Sequence, residues 1–273
     1  MINIKKPNAF ILVSTNHGMM IVNKNDYRDY QYDGKNVRNG VGYQLIETSS
    51  YEQQEIDFAI GILAARRRHY GDGVVLVDCG ANIGVLSIEW ARFMTGWGRV
   101  LSFEAQSKLF YALAGNIVLN NCLNVDAYHA ALGNKTGTMA IPEPDYLVPS
   151  SFGSLDLEER PNNMDIGQKI DYSKTINVDL KTIDSLNLDR IDFIKIDVEG
   201  MEGAVIEGAK NTIEKLKPII FVEVLKSNPD EIHNTLSDLG YKIFPMGMNS
   251  LAVSKEDSTL KDISTSENSI SVK

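Results

Sequence analysis

Carboxylates close four of the five main apolar runs of this chain. Asp78 ends the run Val74–Val77, Glu104 stops a run from Arg99 to Phe103, Asp197 closes Ile191–Ile196, and Glu223 sits near the end of Pro218–Val224. Glu199 follows Asp197 by two positions. A carboxylate accepts hydrogen bonds from hydroxyls, takes up protons and attracts cations. Short apolar runs rich in β-branched residues read as strands buried on both faces of a parallel sheet. Ligands of such sheets bind beyond the carboxyl ends of the strands. These acids therefore stand where chemistry would be done.

The turn after the first of these strands narrows the ligand. Gly80 and Gly84 bracket it, and Ile83, Leu86, Ile88 and Trp90 begin a helix. A helix N-terminus offers unpaired N–H groups and a partial positive charge. The turn reads Asp-Cys-Gly-Ala-Asn-Ile-Gly, not the G-x-G-x-x-G that a dinucleotide pyrophosphate requires, which weighs against a nicotinamide-dependent oxidoreductase. A ligand without phosphate tolerates Asp78 and Asn82, and a cationic methionine end gains from nearby acids. Glu104, ending the neighbouring strand, is placed to accept hydrogen bonds from two ribose hydroxyls, one per oxygen. Together these features favour S-adenosylmethionine.

The acids of the later strands are less specific. Lys195 precedes Asp197 by two, so in a strand both side chains point to one face; the pair reads equally as a tuned general base or as a structural ion pair. Glu199 lies on the acceptor side or simply opens the next helix, where acids favour the dipole. Glu223 serves the acceptor or the cofactor amine, or is a polar strand terminus. Asp197, Glu199 and Glu223 would suit magnesium, but with no His and no tight acid pair among them no metal is expected. His129, inside a strand beside small residues, reads as structural.

Positioning these groups takes strands alternating with crossover helices. Helices are expected from Ser50, with Gln53 completing a capping box, to about Tyr70, after Gly84, over Leu109–Leu119, over Glu202–Leu216 and over Asp230–Leu239. Val125–Ala130 is a further strand, and Tyr241–Phe244 with Ser250–Val253 a closing hairpin. Ala9–Val22 suggests a small hairpin, and Asp26–Gly42 irregular structure. The stretch 135–174 contains Pro142, Pro144, Pro149 and Pro161 and breaks the rhythm. It is expected to be a lid-like insertion whose ends pair, Gly137–Ile141 with Thr175–Val178. Trp97, Tyr146, Phe152 and Tyr172 are candidates to line a sugar-sized pocket.

Bulk properties exclude several classes. A chain of 273 residues with 43% hydrophobic and 23% charged residues is ordinary for a globular α/β domain with additions. A net charge of −9 and a pI near 5.0 argue against a nucleic-acid grip driven by the whole-protein field. Arg66–His69 is the one basic cluster, and it closes a helix, where cations favour the dipole. Cys79 and Cys122 suggest neither a disulfide framework nor a zinc site. Residues 1–7 lack the apolar core of a signal peptide, and no run approaches membrane-spanning length. The expected location is cytoplasmic, with no membrane partner.

Val-Asp-Cys-Gly-Ala-Asn-Ile-Gly (77–84), Phe103-Glu104-Ala105 and above all Asp192–Ala209, with Lys-Ile-Asp-Val-Glu-Gly at 195–200, resemble the FkbM-type S-adenosylmethionine-dependent methyltransferases, over roughly residues 73–224. The resemblance implies a Rossmann-like class I methyltransferase fold: a mostly parallel seven-stranded sheet with flanking helices and, here, an N-terminal extension. By position it implies that Asp78, Gly80, Ala81, Asn82 and Gly84 cradle the methionine part and ribose. Glu104 and Ala105 then hold the ribose side, and Ala130 and Ala131 line the adenine. It places Asp197, with Lys195, Glu199 and Glu223, where an acceptor hydroxyl would meet the methyl group, Asp197 also touching the cofactor. Ala105 stands where the family often has proline, which affects loop stiffness more than chemistry. The implied reaction is in-line O-methylation of a sugar, glycan or secondary metabolite. The alternatives are a nucleic-acid methyltransferase, whose Asn/Asp-Pro-Pro-aromatic or Pro-Cys motifs are missing here, and a non-catalytic S-adenosylmethionine-binding module. The organisation expected is an extension over 1–49, a methyltransferase domain over 50–254 with the insertion 135–174, and a flexible Ser-, Thr- and acid-rich tail over 255–273.

Overall fold

The computed structural model describes residues 8–265 and 270–272. Two hairpins come first, β1 (Phe10–Thr15) with β2 (Gly18–Asn23) and β3 (Arg28–Tyr32) with β4 (Lys35–Asn39). Helices α1 (Val41–Thr48) and α2 (Gln53–Tyr70) lead into the alternating part. That part runs β5 (Val74–Cys79), α3 (Val85–Phe93), β6 (Gly98–Glu104), α4 (Ser107–Leu119), β7 (Val125–Leu132), β8 (Gly137–Pro142) and β9 (Thr175–Lys181). It continues with β10 (Phe193–Ile196), α5 (Glu202–Glu207), α6 (Lys210–Leu216), β11 (Ile219–Glu223), α7 (Pro229–Asp238), β12 (Tyr241–Met246) and β13 (Asn249–Ser254). A last hairpin pairs β14 (Ile263–Thr265) with β15 (Ile270–Val272).

One sheet organises the molecule, in the order β12-β13-β11-β10-β5-β6-β7-β9-β8. It has nine strands where seven are predicted. The additional pair is β8 and β9, the two ends of the insertion: they pair antiparallel, Gly137 opposite Leu180 and Pro142 opposite Thr175. β9 then extends the sheet by joining β7 in parallel. The pairings β11–β10, β10–β5, β5–β6 and β6–β7 are parallel too, as buried strands with crossover helices require.

Side-chain parity along these strands decides which residues reach the site. Successive side chains of a strand point to opposite faces. In β5, Val74 and Leu76 enter the apolar layer under α2 and α3, while Val75, Val77 and Cys79 enter the layer under α5, α6 and α7. Phe193 and Phe221 join the first layer, and Ile194, Ile196, Ile220 and Val222 the second. In β6, Val100 goes to the first and Leu101 and Phe103 to the second. Asp78, Glu104, Lys195 and Glu223 therefore share the parity of the first layer. Register brings them together, with Lys195 opposite Asp78 on one side and Phe221 on the other.

Several local expectations are corrected. Asp26–Gly42 is not irregular: β3 and β4 form a regular hairpin there, closed by Asp33-Gly34 with both residues at positive φ. Val41–Thr48 adds a helix that the period did not reveal. The Ser50–Gln53 capping box is not formed, because Glu52 takes the cap position of α2 in a left-handed conformation. The predicted helix Glu202–Leu216 is broken at Gly208-Ala209 into α5 and α6.

The tail is the largest correction. Leu260, Ile263, Ile270 and Val272 pack against the first apolar layer. The Asp257 carboxylate pairs with buried Arg66, accepts from the Tyr70 hydroxyl and caps a short 3-10 turn at Thr259. Arg66 also pairs with the fully buried Asp192, so part of the basic cluster is used inside the protein. A segment with enough apolar residues to cover a helix, plus an acid that meets a buried arginine, does not stay loose. Residues 266–269 and 273 of the expected tail, and 1–7 of the expected extension, lie outside the described residues. Among the described residues no helix is long and apolar enough to cross a membrane.

Candidate functional site

The sheet reverses its winding between β5 and β10: the chain proceeds outward through β6 and β7, then returns to the other side of β5. A crevice opens at such a point, above the carboxyl ends of the strands. A cavity of about 720 Å³ occupies it, large enough for a nucleoside-sized ligand and more. Asp78, Gly80, Ala81, Asn82, Glu104, Ala105, Ala130 and Ala131 line one part of it. Lys195, Asp197, Glu199 and Glu223 line the other.

Gly84 differs from its expected role. It is not among the lining residues; a Cβ there would approach Leu113 Cδ1 of α4 at 2.5 Å, and its φ is +88°. Its lack of a side chain lets α3 and α4 approach each other there. Gly80 is constrained differently. At φ +85°, a Cβ would meet the carbonyl oxygen of Asp197 at 1.8 Å, so the two loops that flank the crevice touch through this glycine.

The turn between β5 and α3 is held open by its neighbours. The N–H groups of Gly80 and Ala81 both donate to the Phe103 carbonyl. Asn82, at φ 52°, donates its N–H to Glu104 Oε2 at 2.9 Å, and Gln106 N–H donates to Glu104 Oε1 at 2.8 Å. Each Glu104 oxygen thus carries one backbone hydrogen bond and keeps a free lone pair for a hydroxyl. Burial pushes the Glu104 carboxyl up to about 7, against the pull of those two N–H groups. Asp78 is completely buried; its Oδ2 accepts from the Ser87 hydroxyl, while its Oδ1 has no partner. Burial raises its pKa. An unpartnered, inaccessible carboxylate oxygen on a cavity wall is costly unless a ligand donates to it.

On the other side, Lys195 Nζ donates to Asp197 Oδ2 at 2.9 Å. Burial alone would lower the lysine, but Asp197, Asp78 and Glu55 outweigh it and hold the ammonium well above its ordinary range. Lys195 therefore keeps its proton and acts as counter-charge. Burial and then Asp197 raise Glu223 to about 7. Burial and Asp197 also raise Glu199, which Lys226 pulls back through an ion pair at 2.5 Å. Glu199 is held at φ 55°, a left-handed backbone that non-glycine residues adopt at a cost of about 1–3 kcal/mol. Carboxylate oxygens of Asp197, Glu199 and Glu223 lie within 4.8 Å of one another, near enough to share a cation. Two of the three already have a lysine each.

Sequence reasoning missed part of the wall. Tyr51, Glu52 and Glu55 at the start of α2 line the cavity, as do Gln106 and Lys226. Burial raises Glu55 to about 7, and its Oε1 has no partner. Acids at a helix start have a common structural use, complementing the helix dipole, and nothing in the spacing of Glu52 and Glu55 links them to β5. Of the aromatic candidates, Tyr146 and Phe152 are buried in the first apolar layer, Trp97 packs on Phe93, and Tyr172 donates to the Asp156 carbonyl. Tyr30 and Tyr32 of the β3–β4 hairpin face the cavity instead. His129 is structural: Nε2 lies 3.1 Å from the Ala105 carbonyl and the ring stacks on Phe110.

Fold and site define a class: a Rossmann-like α/β protein with an acid-lined ligand crevice at its winding reversal. Residues 78–243 match the profile of the methyltransferase FkbM domain, and the chain belongs to that family of methyltransferases. It is similar to Methyltransferase 1 of Beauveria bassiana (strain ARSEF 2860), 26% identical over 173 residues, covering 59% of this chain and 68% of the relative. It is similar also to Methyltransferase sdnD of Sordaria araneosa, 27% identical over 191 residues, covering 62% and 73%. Among solved structures, it resembles a methyltransferase FkbM from Methylobacillus flagellatus KT with 20% identity and a TM-score of 0.46. That match covers 67% of this chain, which spans only 44% of the solved one.

Proposed function

We propose that this chain is an S-adenosylmethionine-dependent enzyme that methylates a hydroxyl on a sugar, glycan or secondary metabolite. The observation that carries the reading is the pairing of Asp78 with Glu104: two buried acids of one sheet face, at the ends of adjacent strands, lining one cavity with acceptor capacity unused. The donor set fits the cofactor. Glu104 would take the ribose hydroxyls, the buried charge of Asp78 beneath the turn would favour the cationic methionine end, and the small Ala130 and Ala131 leave width for the adenine. When bound, the cofactor supplies an electrophilic methyl group on a sulfonium sulfur.

The remaining residues orient and deprotonate. An acceptor oxygen attacks in line, so most of the rate can come from placement and from removing its proton. Glu223 is the base we favour. It lines the cavity, its carboxylate has no hydrogen-bond or ion-pair partner among the described residues, and it is raised to about 7, near the optimum for accepting a proton at neutral pH. Asp197, bound by Lys195, orients the acceptor rather than deprotonating it. Seven carboxylates line the cavity, Glu52, Glu55, Asp78, Glu104, Asp197, Glu199 and Glu223, against Arg28, Lys195 and Lys226. Even with Glu55, Glu104 and Glu223 raised to about 7 and so partly protonated near neutral pH, an acid-rich lining supports a neutral or cationic small acceptor over a phosphate backbone or a carboxylate. We read the protein as cytoplasmic, acting without a nucleic-acid or membrane partner.

Calorimetry with S-adenosylmethionine and with NAD tests the cofactor; binding of the first alone is expected, and NAD binding would overturn the reading. Transfer of labelled methyl from the cofactor to a metabolite extract, compared with RNA, tests the acceptor. Label in RNA would favour the nucleic-acid alternative, and cofactor binding without any transfer the non-catalytic one.

A further inference from the structure

We infer that Lys226 is a positioning residue that latches the insertion between β8 and β9 onto Glu199, so that the roof of the cavity and the acceptor-side carboxylate are set together. The inference deepens the methyl-transfer reading and rests on it only for the identity of the reaction.

The geometry is a three-way junction of segments distant in sequence. Lys226 follows β11, Glu199 follows β10, and Ser154 and Asp156 belong to the insertion. The ammonium donates to the Ser154 carbonyl at 2.7 Å, lies 2.5 Å from Glu199 Oε2 and 3.4 Å from Asp156 Oδ2. Its side chain is only 9% exposed. A lysine has three N–H donors and no acceptor, and here the ammonium makes one hydrogen bond, to Ser154, and two ion pairs, to Glu199 and Asp156. Asp156 is itself buried and fixed, accepting from Met164 N–H. Through it the lysine reaches both arms of the insertion.

The insertion has other attachments, which the latch completes rather than duplicates. Phe152 N–H donates to Asp26, and Gln106 donates to the Phe152 carbonyl. Those bonds fix the turn before Ser154 against the β2–β3 connection and the start of α4. Lys226 fixes the chain after it against the acceptor side. It also forms part of the wall between the cavity and a second groove, lined on the far side by Arg160, Asn228 and Glu231. Without the lysine, two carboxylates, the buried Asp156 and the half-buried Glu199, face each other across the gap. Breaking a buried pair by removing one partner leaves an uncompensated charge, and the nearest relief is for the insertion to lift.

The charged groups facing Glu199 are Asp197 on its own loop, Glu223 at the end of β11, and Lys226. Two push it toward the neutral form and one toward the charged form, so the latch weakens as pH falls and Glu199 takes up a proton.

Hydrogen–deuterium exchange on the full chain tests this, with Lys226→Met, Lys226→Arg, Glu199→Gln and the Lys226→Met/Glu199→Gln double variant. Lys226→Met should raise exchange over residues 152–166 by about tenfold, a factor equivalent to about 1.4 kcal/mol, while β5 and β10 keep their protection. Lys226→Arg should restore most of it. In the wild type, exchange over 152–166, corrected for intrinsic rates, should rise as pH falls. Glu199→Gln should flatten that dependence, and the double variant should exceed neither single one. Unchanged exchange in Lys226→Met, loosening spread over the whole chain, or a pH dependence that survives Glu199→Gln would each overturn the inference. Calorimetry with S-adenosylhomocysteine on the same proteins reads the parent function separately: absent binding in the wild type defeats the methyl-transfer reading and leaves the latch to the exchange data.

Discussion

At the scale of single residues, the two halves of the cavity make separable demands. Glu104 keeps one lone pair per oxygen for a ligand. Glu104→Ala should therefore weaken S-adenosylmethionine binding by about 1–3 kcal/mol, measured by calorimetry; unchanged affinity would remove it as the ribose partner. Glu223→Gln should lower kcat by about 10²–10⁴-fold with little change in cofactor affinity. Asp197→Asn should cost less in kcat and more in acceptor KM. The reverse order in steady-state kinetics would make Asp197 the base. The place of Asp78, Glu104 and Asp197 at the cavity was legible in the sequence because each closes an apolar run. Glu52, Glu55 and Lys226 were not, since an acid at a helix start and a lysine in a loop have common structural uses. Only the folded chain brings them to the cavity.

At the scale of elements, glycine positions separate packing from ligand contact. Gly84 looks like part of a ligand turn in the sequence, yet it is the contact between α3 and α4. Gly84→Ala combines a left-handed φ with a Cβ 2.5 Å from Leu113. It should lower stability by roughly 1–3 kcal/mol, read as a fall in Tm, with cofactor affinity per folded molecule close to wild type. A loss of affinity without a loss of stability would return Gly84 to the binding site. The parallel strands were readable because they are short, apolar and bounded by acids and glycines. The β3–β4 hairpin was not, because Arg28–Tyr32 and Lys35–Asn39 are largely exposed and lack the alternation that reveals a half-buried strand. The insertion's ends were readable as a pair; that they would widen the sheet to nine strands was not.

At the scale of the whole molecule, buried acids set the response to pH. Asp26, Glu55, Glu104 and Glu223 are each raised to about 7, in every case mainly by burial. A carboxyl whose pKa is higher folded than unfolded binds its proton more tightly in the folded state. Its contribution is complete below the unfolded value and is lost as pH rises through the folded one. The ligand-free protein should thus lose stability between about pH 4.5 and 7, with a higher Tm at pH 5.5 than at pH 7.5 in scanning calorimetry. Glu104→Gln should shrink the difference, and a Tm that rises across this interval would contradict the assignment. The tail shows why composition misled at this scale. Its many polar residues suggested disorder, whereas a few spaced apolar side chains and Asp257 seat it on α2.

The strand parity that gathers Asp78, Glu104, Lys195 and Glu223 on one face has a consequence for how this sequence can change. Exchanging Val77 for Ile alters a volume and leaves every direction intact. Inserting or deleting one residue between Val74 and Asp78 inverts the frame: the acid would turn toward α5–α7 and an aliphatic side chain would enter the crevice. The strands can drift in composition but not in length. Families built this way should accumulate their insertions between strands, as between Pro142 and Thr175, where a change in count leaves the direction of every site residue untouched.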